Sequence, residues 1–288
     1  MSSIAKNIVV FGGNGFLGKR ICQEALSRGY LVTSISSSGS PPKQLAPMDY
    51  KWVQKVNWTK GDIFKPETYR DKLYDCTSIV HTIGILLESQ SYKNIVRSND
   101  DALGEILSFF KTDNPMNKNS FNTYQKINTE SCIVLAETLM DVIKEKNSKK
   151  TSSSEENVSS DSNHQINHFP FAYVSADKKF PGIPSGYIDS KRQTELELYS
   201  LQPVLRPIFL RPGFMYDNEA TEADFRSKFK SLLNGMNLIN NKLLNSSLSD
   251  LIRPTVSTQT VAKWCIDKIE DQEFHGPVSL DEMTGKFQ

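Results

Sequence analysis

Apolar residues recur along the chain in short continuous runs separated by longer stretches with helical spacing. The runs Asn7–Phe11, Leu31–Ile35, Val53–Thr59, Ser78–His81, Ala172–Val174, Ile208–Leu210 and Pro277–Leu280 read as strands buried on both faces. Between them, Lys19–Arg28, Lys65–Lys72, Asn128–Lys146, Tyr187–Leu201, Asp224–Asn234 and Thr258–Ile269 carry the spacing of helices. Strand and helix alternate, so the expected fold is α/β: a doubly wound parallel sheet of the Rossmann type with helices on both faces. Two segments break the rhythm. Leu87–Tyr124 is too long for an ordinary connection and reads as an insertion with a short helix near Leu103–Phe110. Asn147–His168, with "NSKKTSSSEENVSSDSN", is polar and Ser-rich and reads as a disordered surface loop. The expected organisation is a single domain, 1–288, with residues 217–251 forming a small C-terminal substrate lobe.

A length of 288 residues suits such a domain, and composition narrows its partners. The formal net charge is +1, without the clustered Lys and Arg of a nucleic-acid footprint. No apolar stretch reaches the ~18 residues of a membrane span. The four cysteines, Cys22, Cys76, Cys132 and Cys265, lack CxxC spacing and read as reduced thiols. The histidines, 81, 164, 168 and 275, lack metal-ligand spacing, so no metal is expected. Six residues precede the first strand, so a targeting segment has been removed or the address lies elsewhere.

The chemistry begins at "VVFGGNGFLGKR". Glycine occupies 12, 13, 15 and 18, between a strand and a helix. Gly12 allows a sharp turn, Gly15 lets backbone approach a pyrophosphate, and Gly18 lets the helix pack against the sheet. With Asn14, Phe16 and Leu17 these glycines form the candidate cofactor loop, and the helix amino end offers N–H groups and a positive dipole to phosphates. NAD-binding relatives place an acidic residue after the second strand. Here "SISSSGSPPK" has no carboxylate. Ser36, Ser37 and Ser38 could receive a 2′-phosphate with Lys43 near, which favours NADP(H) over NAD(H), or the serines could simply make a turn.

"YIDSK" puts Tyr187 and Lys191 on one helix face, with Ser175 upstream at a strand end. The ammonium of Lys191 lowers the pKa of the Tyr187 phenol, which suits it to proton transfer near neutral pH. In "FRSKFKSLLNGMNLINNKLL", Phe225, Phe229, Leu232 and Leu233 form a stripe flanked by Arg226, Lys228 and Lys230. It reads as a lobe helix closing over the cofactor, or as a basic amphipathic helix for an anionic membrane or a polyprenyl substrate.

Taken together, these motifs resemble the atypical, extended-like branch of the short-chain dehydrogenase/reductases, nearly end to end. The resemblance implies cofactor contacts for Asp62 and Ile63 in "KGDIF", for Thr82, Ile83 and Gly84 in "VHTIG", and for Pro212, Gly213 and Phe214 in "RPGFMY". It implies catalytic roles for Ser175, Tyr187 and Lys191, with Asn128 supporting the lysine through water and with Tyr187 and Lys191 also meeting the cofactor. "NGFLGKRICQEA", "IPSGYIDSKR", "RPGFMYD" and "DLIRPTVSTQ" further resemble the fungal mitochondrial accessory proteins of coenzyme Q (ubiquinone) biosynthesis, relatives of the cofactor-binding accessory subunit of respiratory complex I. This implies a matrix-side location at the mitochondrial inner membrane, association with the coenzyme Q biosynthetic complex, a polyprenylated quinone intermediate as a candidate substrate, and a bound NADP(H) or NAD(H). One departure is Ser37, where NADP-binding relatives often carry Arg. Two functions from different classes follow: an oxidoreductase, or a non-catalytic assembly or regulatory subunit that keeps the nucleotide as a structural or sensing ligand.

Overall fold

A computed structural model describes residues 5–43, 45–85, 124–152, 168–178, 185–219 and 253–285. Seven strands form one sheet: β1 (Asn7–Phe11), β2 (Leu31–Ser36), β3 (Asn57–Lys60), β4 (Ser78–His81), β5 (Phe169–Val174), β6 (Leu205–Leu210) and, at the far edge, Gly276–Val278. Their spatial order is β3-β2-β1-β4-β5-β6 and then Gly276–Val278, every pair parallel. The chain winds outward from β1 through β2 to β3, then crosses back to place β4 on the other side of β1. The crevice between β1 and β4 is therefore the topological switch point.

Alternation along the strands builds a core on each face of the sheet. Ile8 and Val10 of β1 join Ile21, Cys22 and Ala25 of helix α1 (Gly18–Ser27) and Val261, Cys265 and Ile266 of the helix Thr258–Glu270. Val9 and Phe11 face the other way, onto Leu135, Ala136 and Leu139 of the helix Ser131–Ser152. The helix Ser185–Tyr199 packs beside it.

Some boundaries move. Val53 ends a short helix, Tyr50–Val53, and β3 starts only at Asn57. Lys65–Lys72 forms two 3₁₀ turns, Pro66–Thr68 and Arg70–Leu73. Leu280 opens a short helix whose N-cap, Ser279, accepts the Glu282 N–H at 3.2 Å. The expected loop from Asn147 is corrected at its start, since the preceding helix runs on to Ser152. Polar residues can extend an exposed helix, and the Ser148 hydroxyl bonds back to Lys144 O at 3.0 Å. The remainder of that stretch, residues 153–167, lies outside the described residues, as do the expected Leu103–Phe110 and Asp224–Asn234 helices, residues 87–123 of the insertion and residues 220–251 of the lobe.

Candidate functional site

All parallel strands end at one edge of the sheet, which gathers residues distant in sequence. The loop after β1 turns at Gly12, whose φ of +83° suits glycine and whose N–H donates to Ile35 O at 2.8 Å. A Cβ on Gly12 would stand 2.6 Å from the Thr82 hydroxyl, so the loops after β1 and β4 touch across the switch point. A Cβ on Gly18 would meet Gly12 O at 2.2 Å, and one on Gly13 the Ser34 hydroxyl at 2.5 Å. At Gly15 a Cβ would have, among the described residues, only Gly12 O within 4 Å, at 3.0 Å. Gly13 and Gly18 are thus required by internal packing, while at Gly15 the described residues crowd one side only. Helix α1 has no acidic residue in its first turn and no side-chain cap from Leu17. The Lys19 and Arg20 N–H groups are taken by Gly15 O at 3.1 Å and Leu17 O at 3.0 Å, so this end favours an anion chiefly through the helix dipole. This cradle fits the pyrophosphate of a dinucleotide.

After β2, the serines mainly build a turn. Ser36 Oγ accepts Gly39 N–H at 3.2 Å, and Ser38 Oγ accepts Asn14 Nδ2 at 3.0 Å and Ser40 N–H at 3.3 Å. Ser37 is exposed beside them. After β3, the Asp62 carboxylate accepts Phe64 N–H at 3.1 Å, and Ile63 is partly buried against the core with its carbonyl accepting Tyr69 OH at 3.1 Å.

Asn128 sits fully buried in a π-helical turn, Gln125–Glu130, that opens the helix Ser131–Ser152. Such turns often mark functional positions. Its Oδ1 accepts Ile85 N–H at 3.0 Å, its Nδ2 donates to Ser190 Oγ at 3.2 Å, and its carbonyl accepts Tyr173 OH at 3.0 Å. It therefore ties the end of β4 to the helix that carries Tyr187 and Lys191.

Lys191 is 3% exposed, and its Nζ donates to Val174 O at 2.9 Å. It lies 4.7 Å over the Tyr173 ring and 5.9 Å from the centre of the Tyr187 ring. A Cβ on Gly84 would come within 3.0 Å of Lys191 Nζ and 3.2 Å of Asn128 Oδ1, so strand end, lysine and asparagine converge there. Burial pulls the Lys191 pKa down to about 8, partly offset by Cys132 and Glu195. Tyr187 is half-buried, its ring edge-on to Tyr124 at 6.1 Å. Ser175 is 2% exposed at the end of β5, its N–H on Leu210 O at 2.7 Å. Across the gap, Pro212 O accepts Asp177 N–H at 3.0 Å, Phe214 O accepts Val256 N–H at 3.0 Å, and Gly213 gives Leu280 and Pro254 room to approach.

Sequence reasoning missed three features. His81 is buried behind Lys191, with Nε2 3.0 Å from Ser131 Oγ and Nδ1 lacking a partner among the described residues; burial, with the Lys191 charge, pushes its pKa down to about 3. Arg20, 1% exposed, donates to Asp49 at 2.6 Å and Asp217 at 2.9 Å, with Lys19 on Asp217 and Glu219 alongside. Arg192 holds Ser175. Each rests on partners far apart in sequence, which no local spacing reveals.

The model of the NAD dependent epimerase/dehydratase family matches residues 8–108. The chain is 44% identical over 282 residues to MIOREX complex component 2 of Saccharomyces cerevisiae, covering 96% of this chain and 98% of that protein. Among solved structures, it resembles a short-chain dehydrogenase/reductase family oxidoreductase from Burkholderia thailandensis (TM-score 0.60, 13% identity, covering 98% of this chain and 94% of the other). It also resembles 3-oxoacyl-[acyl-carrier protein] reductase from Brucella melitensis in complex with NAD (TM-score 0.58, 13% identity, covering 98% and 99%). The structural likenesses establish the fold, and the sequence match establishes kinship. The chain belongs to the family of MIOREX complex component 2, with the fold of the short-chain dehydrogenase/reductases.

Proposed function

We propose that the protein is a nicotinamide-dinucleotide-dependent oxidoreductase of the mitochondrial coenzyme Q biosynthetic complex, acting on a carbonyl or quinone-type carbon of a polyprenylated intermediate at the matrix side of the inner membrane. The observation that carries the chemistry is the meeting of the glycine cradle and the Tyr187–Lys191 helix at one edge of the sheet, joined through the segment Thr82–Gly84, whose Thr82 end adjoins Gly12 and whose Gly84 end adjoins Lys191. The location, complex and substrate rest on the resemblance of "IPSGYIDSKR" and "RPGFMYD" to proteins of that biosynthesis, alongside a yeast relative that is itself named as a complex component.

Residues 12–18 would hold the pyrophosphate, Ser36 and Ser37 the adenosine ribose with its 2′-phosphate, and Asp62 and Ile63 the adenine. Thr82–Gly84 would line the cofactor, Lys191 and Tyr187 would meet the nicotinamide ribose, and Pro212–Phe214 would flank the nicotinamide. Bound there, NADP(H), or NAD(H), supplies two-electron hydride chemistry. The chain's part is protonic and electrostatic. Tyr187 carries the proton exchanged with the substrate oxygen. The Lys191 ammonium lowers the cost of the phenolate. Ser175 orients the oxygen, and Asn128 fixes the helix that presents the pair.

The complex membership of the relative also favours the second reading, an assembly or regulatory subunit that keeps a nucleotide without turnover. Cellular coenzyme Q, measured at matched protein abundance, separates the two. The oxidoreductase predicts loss with both Tyr187→Phe and Gly15→Val. Normal coenzyme Q with Tyr187→Phe, lost with Gly15→Val, would instead establish the subunit.

A further inference from the structure

Two adjacent cations on one helix bracket the end of β5. Successive helical residues point about 100° apart, so Lys191 and Arg192 leave the helix in different directions. Lys191 takes Val174 O. Arg192 takes the next three residues: Nη1 donates to Ser175 Oγ at 3.0 Å, and Nη2 donates to Ala176 O at 2.8 Å and Asp177 O at 2.9 Å. Nη1 also donates to Glu195 Oε1 at 2.9 Å, and Glu195 is held in turn by Arg211 Nε at 2.9 Å. The guanidinium is thus fixed in plane by four acceptors, over a serine that is itself buried.

A serine hydroxyl has one hydrogen and two lone pairs, whereas a guanidinium only donates. With Arg192 occupying a lone pair, the Ser175 hydrogen must turn to another acceptor. We infer that Arg192 is a positioning residue that fixes Ser175 as a hydrogen-bond donor and polarises its hydroxyl, so that the group it receives is a hydrogen-bond acceptor, as a carbonyl or quinone oxygen is. This deepens the oxidoreductase reading and rests on it for the identity of the acceptor. The polarisation itself can be measured without turnover.

The test places a thiol at position 175. Native Cys22, Cys76, Cys132 and Cys265 are buried with their thiols pushed up, Cys76 to about 12, so they stay silent near neutral pH. In Ser175→Cys, thiolate formation is followed by ultraviolet absorbance across pH, alone and combined with Arg192→Met or Arg192→Lys. A cation at hydrogen-bond distance lowers a neighbouring thiol by about 1–3 pH units. The expected result is titration at lower pH with Arg192 present, a shift lost in Arg192→Met and kept in part by Arg192→Lys. Equal titration in Ser175→Cys and both double variants, with matched thermal unfolding, would overturn the inference; the lysine double variant keeps the comparison open if the methionine one does not fold. In the otherwise native chain, Arg192→Met should lower kcat for carbonyl reduction and leave nucleotide affinity unchanged. A thiol shift in a protein whose native form turns over no carbonyl or quinone would keep the Arg192–Ser175 coupling and remove the oxidoreductase reading.

Discussion

Lys191 shows how a functional residue works against the fold that holds it. Its ammonium is buried without a carboxylate at hydrogen-bond distance among the described residues, and its pKa falls from 10.5 to about 8. Between those values the unfolded chain binds more protons, so this group lowers stability at neutral pH and the cost fades as pH rises from about 8 to 10.5. Lys191→Met should therefore unfold at a temperature no lower than the wild type at pH 7, with its relative advantage shrinking above pH 8, while nucleotide affinity and turnover both fall. Calorimetry across pH checks the first part; a methionine variant clearly less stable at pH 7 would contradict it. Tyr187→Phe should differ, with unchanged unfolding and nucleotide affinity but turnover reduced about 10²–10⁴-fold, as for a lost general acid. "YIDSK" announced this pair by its spacing. It could not announce His81 behind the lysine, because that histidine joins the site only when β4 and the helix Ser131–Ser152 pack together.

At the scale of elements, α1 is held both by the glycine loop and by a buried ion cluster. Its first turn closes over the glycine loop, where Gly18 leaves no room for a Cβ. In the same turn, Arg20 anchors it to Asp49 before β3 and to Asp217 after β6, 197 residues away. Removing one member of a buried ion cluster leaves charge unpaired, at about 3–5 kcal/mol. Arg20→Met should cost on that order in chemical denaturation, against a near-neutral result if the cluster contributes only surface-type pairing. The carboxylate side gives a pH signature. Asp217 is held down to about 2 by Arg20 and Lys19, against burial, so the stability it contributes is present above pH 3.8 and lost as pH falls through about 2. His81 acts earlier: its pKa of about 3, against 6.5 when unfolded, lets stability fall from pH 6.5 downward. His81→Gln should flatten the stability profile between pH 6.5 and 4, which urea titration at each pH would reveal. The sequence displayed α1 through its glycines and apolar spacing. Its ionic anchor was hidden because both carboxylates belong to distant segments.

At the scale of the whole molecule, the alternation of apolar runs was enough to indicate a doubly wound parallel sheet. Strands buried on both faces cannot hide their composition, and β1 and β4 have the bounds their sequences suggest. Short elements were less legible. Val53–Thr59 contains both a helix end and a strand, because Trp52, Val53 and Trp58 pack toward one core from different backbone conformations. The sheet order, by contrast, follows from long-range pairing, and it is what brings the cradle of Gly12–Gly18 to the edge where Lys191, Asn128 and Ser175 gather. The central claim is that this edge receives a nicotinamide dinucleotide. Titrating the purified protein with NADPH and NADH, following nicotinamide fluorescence, tests it most directly. Saturable binding by the wild type, tighter for NADPH and abolished in a folded Gly15→Val variant, is the predicted result; no binding of either nucleotide by the wild type, or undiminished binding by Gly15→Val, would contradict it.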